Sequence, residues 1–441
     1  MILSEISQIM QSAVKSSVSL VDFQLNSLKK MASAAKGNAK HLLTTQSAWM
    51  IPLTWLGTYA PIYMRRLGLS SSDIGNLASL GMSLGAIFLI AGGYFTEKWG
   101  HKRTVMTFDL ISWPAAMLIF ALAQNIWWFI AGTFVVQFSM AGSSSWNCLF
   151  VEDAPKSKRA HLFTILQIIN VAAGLAMPAA GMIIAAFGEL HGIRLLYIIG
   201  GLSMCAGWAW RQAHLKETEA GKKHAVHDLD FNFNIEFLKF REGLAKLKAR
   251  KSLFLIFAVQ VLIGFGFGMW NTMYVIYLTD SKGLALNSAS ITVFPLIYSV
   301  TLVAVSLIVI PLIKQKDYTR AFKLVNLAPV ASVLLLLAAP KYDMSFVVVS
   351  SILNGIHAAF FLPFASTYMF GILSEKERAR SLSVIYTLIT ASMIPAGSLA
   401  GYAYRLAPKL VFECALVLFI ISAYLVFAKL QDQPAARKLD A

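Results

Sequence analysis

Gly93-Tyr94-Phe95-Thr96-Glu97-Lys98-Trp99-Gly100-His101-Lys102-Arg103 is a tight, charged turn between two long apolar segments. An acid, spaced glycines and a basic cluster are costly to place at the edge of a membrane. The glycines let the backbone turn and let helices approach closely. Working outward from this turn, the apolar residues come in blocks of about 20, the length that crosses a ~30 Å hydrocarbon core as a helix. The hydrophobic fraction is 57% and the charged fraction 14%, where a soluble protein carries about a quarter charged residues. Helix is the expected state of such blocks, because hydrocarbon offers nothing to bond an open backbone.

Twelve blocks are predicted: 46–64, 72–95, 104–123, 126–149, 160–186, 193–211, 252–279, 287–313, 319–339, 344–370, 379–403 and 407–429. The net charge of +16 does not call for a nucleic-acid partner, because it is one-sided. With twelve spans, one side of the layout carries only Arg65, Arg66, Arg194, Lys282, Lys341, Arg405 and Lys409. The other side, with both tails, carries 31 of the 38 Lys and Arg residues. By the positive-inside rule both termini are expected in the cytoplasm and the chain in the inner or plasma membrane.

Residues 1–42 form an expected cytoplasmic tail. Ile6, Ile9, Met10 and Ala13, then Val18, Val21, Leu25 and Leu28, recur at helical spacing. An amphipathic helix on anionic lipid or a poorly ordered tail both fit this pattern. Residues 43–211 make a first six-span unit, 212–251 a polar linker, 252–430 a second unit and 431–441 a short tail. The linker holds His214, Glu217, Glu219, His224, His227, Asp228 and Asp230 without metal-ligand spacing. Cys148, Cys205 and Cys414 read as small apolar residues, so neither a metal nor another cofactor is expected.

The 93–103 stretch resembles the loop between helices 2 and 3 that marks the major facilitator superfamily. Gly93, Phe95, Glu97, Lys98, Gly100, Lys102 and Arg103 match that pattern. Glu97 stands where aspartate is usual, and His101 where a basic residue is usual. The resemblance implies an all-α membrane protein of twelve transmembrane helices in two pseudo-symmetric six-helix bundles, working by alternating access. The halves also look like distant copies: Arg159 before span 5 and Arg378 before span 11 lie 219 residues apart, about half the chain. Pro178 and Gly181 in span 5 answer to Pro395, Gly397 and Gly401 in span 11.

The resemblance implies a gating role for Gly93, Glu97, Gly100, Lys102, Arg103, Glu152, Asp153, Arg159 and Arg378. Glu97 is expected to face the N-terminal end of helix 11, and Lys102 and Arg103 to pair with Glu152 or Asp153. Intramembrane ionisable residues are functional candidates in their own right. Asp109 lies six residues into span 3, about 9 Å deep at ~1.5 Å per residue, as a coupling site or as part of the gate network. His357 lies mid-span in span 10, as a bonded structural histidine or a cavity residue that binds solute or senses protons.

In this fold helices 1, 4, 7 and 10 line the cavity. That makes Thr58, Tyr59, Gln137, Trp146, Asn147, Trp270, Asn271, Tyr274 and Asn354 cavity candidates, with Asn170 of span 5. No buried Arg or Lys stands outside the span ends, which favours a neutral, zwitterionic or lipophilic solute. Proline follows Met177 rather than glycine in span 5, a partial match to the helix-5 motif of drug–proton antiporters. The expected activity is movement of a small organic solute, with protons as a candidate coupling ion and lipid as the surround. Efflux by antiport and uncoupled facilitation are the rivals within transport. A non-transporting receptor or a membrane enzyme is the rival outside it, and no paired catalytic groups at one depth suggest an enzyme.

Overall fold

The computed structural model describes residues 35–224, 241, 247, 250–313, 317–372 and 375–430. The predicted tails at 1–34 and 431–441 and most of the linker lie outside the described residues. The first half consists of α1 (Gly37–Arg66), α2 (Ser71–Trp99), α3 (His101–Ala121), α4 (Ile126–Gln137), α5 (Ser139–Val151), α6 (Lys156–Ala172) and α7 (Met177–His214), followed by the short α8 (Glu219–His224). The second half consists of α9 (Lys251–Thr279), α10 (Val293–Ala304), α11 (Tyr318–Val325), α12 (Ala328–Ala338), α13 (Ser345–Ile372), α14 (Glu375–Leu406) and α15 (Leu410–Lys429). No strand occurs among the described residues.

Nine helical segments among the described residues are long and apolar enough to cross a membrane. One of them, His161–His214, turns back at Gly188, whose φ of 74° lies in the left-handed region open to glycine. The long helices α1 and α14 stand beside these nine.

Local chemistry sets the ends. Ser70 and Asp73 form a reciprocal capping box at the start of α2, satisfying two backbone donors left open by the first turn. Asn125 accepts from Trp127 N at the start of α4. Ile87, Ile90, Met182, Leu202 and Tyr424 stay more than half exposed on the outer faces, the belt that a lipid surround requires.

The main apolar core runs through both halves. A separate cluster of Leu42, Leu43, Val105, Met106, Leu149, Phe150 and Leu162 packs at the end of the bundle that carries residues 96–103. That end is called here the signature end, and the other the far end.

Candidate functional site: a central cavity closed at the far end

The halves meet through two close helix pairs. α2 packs on α14, and glycines carry the approach. A Cβ at Gly75 would be driven into the Gly397 carbonyl, and one at Gly401 into the Ser71 carbonyl. On the opposite flank, a Cβ at Gly174 would strike Ser299 Oγ, and one at Gly181 would lie 2.8 Å from the Ala289 carbonyl. The Gly181 and Gly397/Gly401 correspondence read from the sequence thus marks pseudo-equivalent crossings, one on each side. Ser398 N donates to Ser79 Oγ at 2.9 Å.

Polar contacts across the halves gather at the far end. Tyr59 Oη donates to the Ser288 carbonyl at 2.9 Å. Arg65 pairs with Asp280 at 3.2 Å, and Tyr404 donates to the same carboxylate. Arg66 pairs with Glu189, and Ser288 Oγ donates to Glu189 from the other half. Burial pushes the Glu189 carboxyl up, but bonds from Arg66 and Ser288 and the Arg66 charge hold it below its usual range.

Beneath this closure lies a cavity of about 570 Å³ lined from α1, α6, α9, α10 and α13. Thr58, Trp270, Asn271, Tyr274, Asn354 and His357 face it, together with Gln167. Trp270 stacks on Tyr274 at 5.2 Å and meets the edge of Phe412 at 5.4 Å. His357 is 3% exposed and stacks on Phe361 at 4.8 Å. Its Nε2, like Asn354 Oδ1, is buried without a hydrogen-bonding partner among the described residues. Phe267, Phe294, Tyr298 and Phe361 complete the aromatic wall. Sequence reading passed over them because phenylalanines at helical spacing look alike on the core side and the cavity side.

The other cavity candidates sit elsewhere. Tyr59 belongs to the far-end closure. Gln137 lines a second, largely apolar cavity of about 820 Å³ between α2, α4 and α14. The rim of that cavity includes Leu89 and Ile90, which are exposed on the outer belt. Trp146 stacks on Phe150, Asn147 donates to the Ser143 carbonyl, and Asn170 accepts from Gln46 at 2.9 Å.

Asp109 pairs with Arg211 at 3.4 Å, both side chains deeply buried. Arg211 also donates to Thr45 Oγ1 at 2.8 Å and lies 3.7 Å from the Trp49 ring centroid. Of the two readings of Asp109, neither the Glu97–Arg103 loop nor the cavity holds its bonding partner; α7 does. Arg211 is a buried cation near the end of span 6, and sequence reading treated it as an interfacial charge.

At the signature end the contacts differ from the expected pairs. Gly100 adopts φ 78° and ends α2. Glu217, from the segment after α7, accepts from His101 N at 3.1 Å and from Lys102 N at 2.8 Å, placing a carboxylate on the open amides and positive dipole end of α3. Lys102 Nζ donates to the Gln212 carbonyl, and Arg103 lies over the Trp99 ring at 5.6 Å.

Glu152 instead meets His101 Nε2 at 3.2 Å and accepts from Thr218 Oγ1. Asp153 accepts from Asn38 at 3.1 Å, and burial followed by the Glu152 charge raises its carboxyl above the ordinary value. Lys102 and Arg103 therefore do not carry the pairing with Glu152 and Asp153 expected from the sequence. His101 and Asn38 take those places, while the Lys102 ammonium donates to the Gln212 carbonyl and the Arg103 guanidinium lies over the Trp99 ring. His101, Cys148 and Glu152 bring one nitrogen, one sulfur and one oxygen within 4.8 Å of one another, a grouping from separate segments that spacing along the chain does not reveal.

Arg159 donates to the Ala154 carbonyl. Gly93 faces open space on α2. Glu97 is half-buried near the end of α2. The Arg378 side chain, at the start of α14, lies outside the described residues.

A helical membrane protein built as two halves around one central cavity has the architecture of a solute transporter. The chain belongs to the Major Facilitator Superfamily, whose model matches residues 42–340. It is 24% identical over 317 residues to the multidrug resistance protein MdtG of Salmonella dublin, covering 67% of this chain and 72% of that protein. MdtG of Enterobacter lignolyticus is likewise 24% identical, with 70% of its length covered.

The fold is shared with the nucleoside transporter NupG at a TM-score of 0.67 and 13% identity, over 89% of this chain and 98% of that one. It is shared too with a bacterial homologue of the human lysosomal transporter Spinster, in an inward-facing and unoccupied conformation, at a TM-score of 0.64 and 15% identity. That likeness covers 88% of this chain and 95% of the homologue. The chain is a multi-pass membrane transporter.

Proposed function

We propose that this protein moves a small organic solute through the central cavity by rocking its two halves, with the signature end in the cytoplasm. The nine apolar segments, α1, α14 and the turn at Gly188 are read as twelve spans. The one-sided distribution of Lys and Arg then puts both termini inside. The observation that carries the reading is the far-end closure above a cavity: Tyr59–Ser288, Arg65–Asp280 and the α2–α14 glycine crossing. This is the inward-facing arm of an alternating-access cycle. Purified protein in proteoliposomes should exchange solute across the membrane; saturable binding without flux would leave a receptor.

Export is the direction that the resemblance to multidrug resistance proteins supports. Uptake remains the alternative, supported by the uncharged polar groups of the cavity. The Arg211 pairing of Asp109 favours a structural role there.

Gly100→Ala should weaken the signature end. The new Cβ would lie 2.8 Å from a Glu217 oxygen at a left-handed φ of 78°. The cost expected for such strain is about 1–3 kcal/mol, read as a lower thermal midpoint. An unchanged midpoint would show that the loop relaxes freely.

The Glu189 arm of the far-end latch should hold at neutral pH. Because the Glu189 carboxyl is held below its usual range, its contribution is complete above the ordinary carboxylate value of about 4.3. The contribution is lost only as pH falls through the lowered value. Labelling of a Thr58→Cys variant from the far side, taken relative to a fully exposed cysteine at each pH so that the thiolate fraction cancels, should therefore be flat from about pH 5 to 8 and should rise in Glu189→Gln.

A further inference from the structure

We propose that the central cavity takes an uncharged, planar heteroaromatic solute whose edge carries a hydrogen-bond donor beside an acceptor, as a nucleobase or a cyclic imide does. The inference rests on reading that cavity as the transport site, and it names the class of solute. Three features point the same way.

The first is charge. Among the described residues no Asp, Glu, Lys or Arg lines the cavity. A formally charged solute would give up its hydration there without a counter-charge, which is the costly case of burial.

The second is shape. α9 supplies Trp270 stacked on Tyr274 with 24° between the rings, and α13 supplies His357 stacked on Phe361 with 25°. Phe267 lies 5.4 Å from the His357 ring. Aromatic rings from two helices line the cavity wall, and a flat aromatic solute gains from offset stacking on such a wall in addition to the area it buries.

The third is a pair of buried polar atoms without a partner among the described residues. Asn354 and His357 stand three residues apart on α13, so they share a helix face. Asn354 Oδ1 and His357 Nε2 are buried and without a partner among the described residues, and both side chains line the cavity. A buried polar atom left unmatched is costly, and a ligand that pairs with it recovers that cost. The amide offers an acceptor and a donor, and a neutral imidazole nitrogen either accepts or donates according to its tautomer. The complementary ligand edge therefore needs both a donor and an acceptor side by side. Gln167 and Asn271, both exposed to the cavity, offer uncharged amides for hydroxyl-bearing substituents. The cavity's 570 Å³ falls in the range of sites for small organic ligands.

The test uses the purified full chain, with thermal midpoint and radioligand binding as readouts. The probes are inosine and uridine, set against inosine monophosphate, glucose and tetraphenylphosphonium. Inosine or uridine should bind saturably, with inosine monophosphate at least about tenfold weaker than inosine and glucose inert. Asn354→Leu and His357→Phe, the latter keeping a ring but removing the polar edge, should each weaken binding about tenfold or more, a loss the size expected for one hydrogen bond. Neither should lower the thermal midpoint of the unliganded protein. Should Asn354→Leu fail to fold, Asn354→Ser takes its place.

No saturable binding of either nucleoside, or binding indifferent to both α13 substitutions, overturns the solute class. Tetraphenylphosphonium bound instead, and lost in Trp270→Leu, would overturn the class while leaving the cavity as the transport site. Nucleoside binding that survives Trp270→Leu, Asn271→Leu and both α13 substitutions together would overturn the cavity reading as well.

Discussion

Gly401→Val is expected to reduce flux tenfold or more and to open the far side of the cavity. Gly401 stands where α14 crosses α2, and any Cβ there collides with the Ser71 carbonyl and comes within 3.0 Å of Ser72 Cα. Backbone is what it meets, so no side-chain rotation relieves the clash. The helices must part, and in the proposed rocking cycle the α2–α14 contact is the one released when the far end opens. Overpacking of this kind costs about 1–3 kcal/mol. Borne by one state of a two-state transporter, that is about a 5- to 150-fold change in its population. A cysteine replacing Thr58, in the cavity wall, should become reactive to an impermeant reagent from the far side. Gly75→Val should do the same through the Gly397 carbonyl. Wild-type flux with an unreactive cysteine would show that the crossing is not part of the closure.

Arg211→Leu is expected to be the most destabilising single change in the first half. Arg211 is 2% exposed, and its guanidinium serves the Asp109 carboxylate, Thr45 and the Trp49 face at once. Removing it leaves Asp109 as an uncompensated buried charge. Breaking a buried pair from one side costs about 3–5 kcal/mol, and the lost cation–π contact adds to that. The double change Asp109→Asn with Arg211→Gln leaves no charge behind and should recover most of the lost thermal midpoint. The same variants separate the two roles open to Asp109. If the pair is structural, Asp109→Asn lowers the midpoint and any transport that remains is still driven by the gradient. If Asp109 carries the coupled proton, the midpoint holds and accumulation disappears.

Both predictions bear on what could be read from the chain before it was folded. The helices were legible because lipid allows few alternatives to them. The 93–103 turn was legible because its glycines and charges are too costly to occur by chance at that spacing. Gly181, Gly397 and Gly401 were visible as a repeat, but only the structure turned them into inter-half crossings, since packing partners such as Ser71 and Ala289 lie far off in sequence. Glu97, the acid of the signature turn, was expected to face the N-terminal end of helix 11. In the structure Glu217, 116 residues beyond His101, holds the start of α3. The linker segment that carries Glu217 looked like solvated charge.

The sequence by itself determined the membrane environment, the helical state of its apolar blocks and the family, because each follows from local composition, from the signature turn and from the absence of water in hydrocarbon. Tertiary structure alone decided which ionisable groups satisfy one another, so that Asp109 answers to Arg211 and Glu152 to His101. It alone showed that Phe267, Phe294, Tyr298 and Phe361 face the cavity, and at which end the halves meet. Helical periodicity tells which residues share a face, but not what that face is turned toward. A buried charge or an open hydrogen-bonding atom acquires its meaning only from the group set opposite to it in space.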